Sequence, residues 1–105
     1  MVKKSPREPS MELYREIAAI DDVETCYRFF KDLCSINELR SMEQRFDVAK
    51  LLYEGNVYTE IVEQTGASSA TISRVRRSML DNGAGGVMQE VIHREWNPTG
   101  RKDQD

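Results

Sequence analysis

The sequence predicts an all-α protein of six helices. Across most of the chain, apolar residues recur every three or four positions, which is the periodicity of a helix with one buried face. Residues that favour helix ends, such as Ser35 and Gly55, stand where these periodic stretches begin and stop. No stretch shows the alternation of apolar and polar residues that a half-buried strand requires.

The length and composition suit one domain with a modest core. The chain has 105 residues, of which 39% are hydrophobic and 31% are charged. We expect a mobile arm over residues 1–9, a single all-helical domain over residues 10–97 and a polar tail over residues 98–105. No apolar run approaches the ~18–20 residues that cross a membrane, and the charged N-terminus lacks the apolar segment of a secretory signal. A cytoplasmic location is therefore expected.

The first two helices each carry one apolar stripe. Ser10 is the expected cap of the first helix, and Asp21 or Asp22 that of the second. Neither cysteine of the second helix fits a zinc or redox spacing, so both are expected to be buried thiols. The stripes are Met11, Tyr14, Ile17 and Ala18 in the first helix, and Val23, Cys26, Tyr27, Phe30, Leu33 and Cys34 in the second.

The third helix is long and apolar on two sides. Ser35 and Glu38 form an expected capping box at its start, and Gly55 is an expected left-handed cap at its end. A helix with two apolar faces needs two partners, and in a chain this short the second partner is expected to be another subunit. The two faces are Leu39, Met42, Phe46, Ala49 and Tyr53 on one side, and Val48, Leu51 and Leu52 on the other.

The segment 58–80 reads as a helix-turn-helix. Two short helices, Tyr58–Thr65 and Ser69–Leu80, flank Gly66, where a tight turn needs a positive φ. Ser68 is the expected cap of the second helix. The residues expected to point inward are Ile61, Val62 and Thr65 from the first helix, Ala67 from the turn, and Ile72, Val75 and Met79 from the second helix.

The outer face of the helix 69–80 predicts contact with duplex DNA. At about 100° per residue, small and basic side chains lie opposite the inward stripe. Such a face enters a major groove closely and offers hydroxyl, methyl and guanidinium groups to bases and phosphates. An ordinary helical hairpin with a solvated basic face is the simpler alternative. The predicted DNA-binding residues are Ser68, Ser69, Ala70, Thr71, Ser73, Arg74 and Arg77.

The charge distribution and the chemical inventory narrow the function further. The net charge is −3, yet residues 66–80 contain three arginines and no acid. His93 is the lone histidine, so neither a metal site nor an enzyme is expected. A flexible break is expected at residues 82–86, followed by a last helix that begins near Gly86 and ends at Asn97-Pro98.

The stretch 35–80 resembles the Trp repressor superfamily, and most closely its YerC/YecD-type branch. The resemblance rests on Leu-Tyr-Glu-Gly at 52–55 and on Thr-Gly-Ala-Ser-Ser-Ala-Thr-Ile-Ser-Arg-Val at 65–75. It implies a Trp-repressor-like intertwined homodimer, in which the first three helices and the last helix interlock between subunits and two helix-turn-helix units project from the sides. It also implies a transcriptional regulator of the repressor type, which binds double-stranded DNA.

The resemblance further implies where a small corepressor would bind. Arg45, Arg74 and Ser78 match the positions that hold free tryptophan in the family's repressor. Val75 stands where tryptophan-responsive members have glycine, and its side chain would occupy the space of the indole. The sequence therefore argues against tryptophan and leaves another small-molecule corepressor open. A salt bridge from Arg45 to Glu38 or another acid is an equally good interpretation of that arginine.

A function of a different class also fits the sequence. A dimeric helical adaptor would use the same hairpin to bind another protein, and its arginine face would contact acidic residues instead of phosphate. The acidic net charge of −3 favours this alternative slightly.

Overall fold

The computed structural model describes residues 8–80 and 87–95. Within them, the all-α fold is confirmed. Four predicted features fall wholly or mostly outside the described residues: the arm 1–9, the break 82–86, the helix stop at residues 97–98 and the tail 98–105. The helices are α1 (Met11–Ala19), α2 (Val23–Leu33), α3 (Ile36–Tyr53), α4 (Tyr58–Thr65), α5 (Ser69–Leu80) and α6 (Val87–Glu95).

The chain divides into two compact units, and the boundary falls within α3, after Leu39. In the first unit, the carboxylate of Asp22 caps α2 by accepting a hydrogen bond from the Thr25 amide at 2.8 Å. Ser10 occupies the cap position of α1, but its side chain makes no capping hydrogen bond. The expected cap of the second helix is therefore confirmed. At the first helix, Ser10 stands at the expected cap position but does not cap the helix through its side chain.

The apolar stripes of α1 and α2 are not buried within one chain. Neither helix contains a fully buried residue. Val23 is 85% exposed, Leu33 is 53% exposed, and both cysteines are free thiols and only half-buried. The expectation of buried cysteines is therefore wrong for the single chain, because no described residue of the first unit covers the apolar face of α2.

Both predicted ends of α3 are confirmed. At its start, the Ser35 amide donates to Glu38 Oε1 at 2.7 Å, and the Glu38 amide donates to Ser35 Oγ at 3.1 Å. At its end, Gly55 has a φ of +92°, and the Asn56 amide donates to the Leu51 carbonyl at 3.0 Å. This pattern is a Schellman motif, which satisfies carbonyl groups that the helix itself leaves unpaired.

The second unit contains a continuous apolar core. α3, α4, α5 and α6 all contribute to it, and each fully buried aliphatic side chain contributes about 1.5–3 kcal/mol relative to exposure. Gln89 on α6 donates to the Met79 carbonyl at 2.6 Å and so satisfies a carbonyl near the end of α5. The buried residues are Val48, Ala49, Ile61, Ala67, Ile72, Val75, Met79 and Ile92.

A membrane span is not found among the helices at residues 8–80 and 87–95, since each is too short or too polar to cross a bilayer.

Candidate nucleic-acid interface

The turn between α4 and α5 depends on the backbone conformation of Gly66. Its φ is +74°, and its amide donates to the Val62 carbonyl at 2.8 Å. A Cβ built at this position would meet no atom within 4 Å, so space is not what favours glycine here. The left-handed φ is the constraint, because side chains other than glycine rarely adopt it. The predicted turn glycine is confirmed.

Side chains on either side of the turn hold it in place. The Thr65 hydroxyl donates to the Ile61 carbonyl at 2.7 Å and accepts a hydrogen bond from the Ala67 amide at 3.1 Å. The Gln44 amide on α3 donates to the Thr65 carbonyl at 3.1 Å. Neither hydrogen-bonding role was predicted from the sequence. A threonine directly before the turn glycine was a readable signal, whereas Gln44 lies 21 residues away and gave none.

The inward face of the helix-turn-helix agrees with the prediction except at one position. Ile61 and Ile72 are 0% exposed, and Val75 is 2% exposed. Val62, which was expected to point inward, is 40% exposed, so that prediction is wrong. Ile61 and Thr65 lie four residues apart on one face of α4, and Val62 is rotated by about 100° from Ile61.

The first turn of α5 is capped by Ser68, as predicted. Ser68 Oγ accepts a hydrogen bond from the Thr71 amide at 3.1 Å, and the Ser68 hydroxyl donates to Thr71 Oγ1 at 3.1 Å. Thr71 is half-buried, while Ser69 and Ala70 are exposed. The cap therefore fixes the helix start and leaves Ser69 and Ala70 as its outermost residues.

Further along α5, the outer face is basic. Arg74 and Arg77 are exposed, and Ser73, which directly precedes Arg74, is half-buried. Arg76, which the sequence analysis did not assign to DNA, is also exposed. Because the segment 66–80 contains no acidic residue, these guanidinium groups have no carboxylate neighbour on their own helix. The predicted DNA-binding residues are thus brought to one side of α5, with Ser68 and Thr71 at its edge.

The start of α4 lies beside this basic face. The Val57 amide donates to Glu60 Oε1 at 3.2 Å, which satisfies one of the amides at the helix start. The Tyr58 ring is half-buried and packs against the core of the second unit. Tyr58, Ser73, Arg76, Arg77 and Leu80 together line a groove of about 590 Å³.

The three residues predicted to bind a corepressor are all exposed. Arg45 lies on α3, Arg74 and Ser78 lie on α5, and none of them lines the groove beside Tyr58. Arg45 forms no ion pair within the described residues, where Arg40 pairs with Glu43 at 2.7 Å instead. Their role in ligand binding stays a prediction. Val75 is 2% exposed and is part of the core, as its helical phase predicted.

Residues 8–80 and 87–95 contain no cluster of metal ligands. No group of three or more histidine, cysteine, aspartate or glutamate side chains among them is placed to hold a cation. His93 Nδ1 instead shares a hydrogen bond of 2.6 Å with the Tyr53 hydroxyl, which links α6 to α3.

Comparisons with known proteins agree on one family. The sequence profile of the Trp repressor protein family matches residues 10–95. A protein of Bacillus subtilis described as uncharacterized protein YerC is 54% identical over 68 residues. That match spans 65% of this chain and 65% of the length of the Bacillus protein.

Solved structures extend the comparison to the fold. A Trp-repressor-like protein from Eubacterium eligens is 44% identical and superposes with a TM-score of 0.67, covering 77% of this chain and 86% of that one. A candidate Trp repressor from Staphylococcus aureus is 42% identical with a TM-score of 0.70, covering 83% and 88%. The all-α, Trp-repressor-like fold expected from the sequence is thereby confirmed. The chain belongs to the Trp repressor family.

Proposed function

We propose that this chain is a sequence-specific DNA-binding transcriptional regulator of the repressor type, which reads the major groove with α5 of each subunit of a homodimer. Membership of the Trp repressor family supports this role. The proposal includes a cytoplasmic location and no enzymatic activity. It rests on the geometry of α5 more than on any other feature.

The observation that carries the proposal is the separation of the two faces of α5. Ile72, Val75 and Met79 are buried, while the outer side presents small polar groups near the start and guanidinium groups further along. A major groove about 12 Å wide admits a helix whose first turns lack bulky side chains. The exposed Ser69 and Ala70 meet this condition, because neither side chain holds the helix away from the base edges.

The homodimer is part of the proposal because the first unit leaves apolar side chains in solvent. Met11, Tyr14 and Ile36 are 50%, 53% and 56% exposed. A set of large apolar side chains left exposed on neighbouring helices of the sequence is consistent with an interface between protein chains. Interlocking of these helices with those of a second copy would bury this surface and would place two copies of α5 on one duplex.

The proposal includes a small-molecule corepressor but does not identify it. Arg45, Arg74 and Ser78 offer two cations and a hydroxyl, which suits a small ligand with a carboxylate. Because Val75 is committed to the core, we do not propose tryptophan as that ligand.

A DNA-retention experiment tests the proposed function. Purified protein is mixed at low salt with fragments of genomic DNA, and the bound fragments are sequenced. We expect retention of a restricted set of fragments and an affinity that falls steeply as salt rises, because protein cations displace counterions from phosphates. Absence of any retained fragment at low salt would contradict the proposal and favour the protein-binding adaptor.

Arg77→Ala is the matched test of the proposed face, with Arg28→Ala as its control. Arg28 is an exposed arginine on α2, opposite the apolar stripe of that helix, and its loss changes the net charge equally. We expect weaker DNA binding for Arg77→Ala and wild-type binding for Arg28→Ala. Equal loss in the two variants would show that only the total charge matters.

A further inference from the structure

The groove between the start of α4 and the second half of α5 has the chemistry of an anion site. Arg76 and Arg77 contribute guanidinium groups, and Tyr58 and Ser73 contribute hydroxyl groups. Of the described residues that line the groove, none is acidic. A cleft lined by one sign of charge concentrates ligands of the opposite sign.

The side-chain donors that line this groove are not engaged in hydrogen bonds within the described part of the protein. The side chains of Tyr58, Arg76 and Arg77 form no hydrogen bond or ion pair with another described residue. The Tyr58 ring is nevertheless held against the core, which fixes where its hydroxyl lies. The groove therefore offers a partly rigid set of donors to a ligand from solvent.

We propose that this groove binds one phosphate of the DNA backbone in each subunit, with Arg76 as a contact residue beside Arg77. The inference rests on the proposed DNA-binding function and adds residues that the outer face of α5 does not include. Arg76 lies about 100° around the helix from Arg77, toward the start of α4. It therefore approaches the duplex from the flank of the helix, where a backbone runs, and away from the base edges.

The spacing along α5 agrees with a backbone contact. Arg76 and Arg77 lie six to eight residues beyond Ser69 and Ala70, which corresponds to about 9–12 Å along the helix axis. With the first turn of α5 at the base edges of a groove about 12 Å wide, this distance reaches the rim where the phosphates lie. The first helix of a helix-turn-helix also lies across the backbone, which brings Tyr58 to the same rim.

The test compares the salt dependence of binding for Arg76→Ala with that of the wild-type dimer on one retained DNA fragment. Loss of the Arg76 cation from each subunit should lower the slope of log K against log salt by up to about 1.8, at about 0.9 for each phosphate that is no longer neutralised. Arg76→Lys keeps the charge and should keep the wild-type slope. Tyr58→Phe removes only a neutral donor, so affinity should fall while the slope stays unchanged.

Arg28→Ala is the control for net charge, and sedimentation and circular dichroism confirm that each variant remains folded and associated. A wild-type slope for Arg76→Ala, or an equal fall for Arg28→Ala, would overturn the inference while leaving DNA binding intact. Failure of the wild-type protein to retain DNA would instead overturn the proposed function. Saturable binding of inorganic phosphate to the free protein at constant ionic strength, with an unchanged DNA slope in Arg76→Ala, would assign the groove to a free anion and also contradict the inference.

Discussion

The side-chain amide of Gln44 donates a hydrogen bond to the main-chain carbonyl of Thr65, at 3.1 Å, and so ties α3 to the last residue of α4. Thr65 in turn connects the two sides of the turn through its hydroxyl group. The direction in which α5 leaves the turn is thereby coupled to α3. The position of the candidate DNA-reading helix is a property of the whole second unit.

Gln44→Ala should destabilise the protein by about 1–3 kcal/mol, because it leaves a partly buried carbonyl without its partner. The nearby Gln64 is exposed and serves as control, since Gln64→Ala should change stability by less than about 0.5 kcal/mol. Denaturant unfolding measures both values. Equal stability of the two variants would show that the Gln44 hydrogen bond does not support the turn.

Gly66→Ala should cost about 1–2 kcal/mol, because alanine must adopt the left-handed φ of +74°. Gly66→Asn should cost less, since asparagine tolerates this conformation better. The surrounding space is open, so no steric term adds to the difference. Urea unfolding of the two variants distinguishes this account from one in which glycine is needed for close packing, which would penalise the larger asparagine more.

Ser68→Ala and Ser69→Ala should separate stability from recognition. Loss of the Ser68 cap should reduce the free energy of unfolding by about 1 kcal/mol. The Ser69 side chain is exposed and makes no hydrogen bond within the described residues, so Ser69→Ala should leave stability unchanged and weaken binding to a retained DNA fragment. If Ser69→Ala leaves both quantities unchanged, the serine does not contact the operator.

Stability should depend on pH through two capping carboxylates. A hydrogen bond from the Ser35 amide, with a smaller effect of the Ser35 side chain, lowers the pKa of Glu38, and the Thr25 amide and side chain lower the pKa of Asp22 in the same order. Since both pKa values are lower in the folded state than in the unfolded chain, the stabilisation is present above the unfolded values and is lost as pH falls through the folded ones. Unfolding of Glu38→Gln between pH 7 and pH 3 should show a smaller acid loss than the wild type. An identical pH profile would remove Glu38 as a contributor.

Sedimentation should give a dimer of 12.1 kDa chains. Leu33→Glu should weaken the dimer, because it places a charge on the exposed apolar stripe of α2. Val57→Glu is the control, since Val57 is exposed to a similar extent, 58% against 53% for Leu33, but lies at the start of α4. A monomeric wild type at micromolar concentration would contradict the intertwined dimer.

Local chemistry explains which features could be predicted from the sequence. The bounds of α4 and α5 follow from Gly66, Ser68 and the apolar spacing, and the start of α3 follows from Ser35 and Glu38. Each of these signals lies within a few residues of the feature that it determines.

The features that could not be predicted depend on packing between elements. The sequence predicted that Ile61 and Val62 would both face the core, but only Ile61 is buried, because the packing of α4 accommodates one of these two neighbours. The Gln44 contact joins residues 21 positions apart and has no local pattern. Arg76 was not predicted as a site residue, because it lies on a flank of α5 that forms a groove only together with Tyr58 of α4.

One face of α5 stabilises the fold and the other is exposed, and this separation affects how the DNA specificity of such a protein can evolve. The fold depends on Ile72, Val75 and Met79, whereas Ser69, Ala70 and Arg74 take no part in the core. Substitutions at exposed positions of this kind usually change stability by less than about 0.5 kcal/mol. A lineage can therefore exchange one operator for another through these positions, one substitution at a time, without passing through an unfolded intermediate.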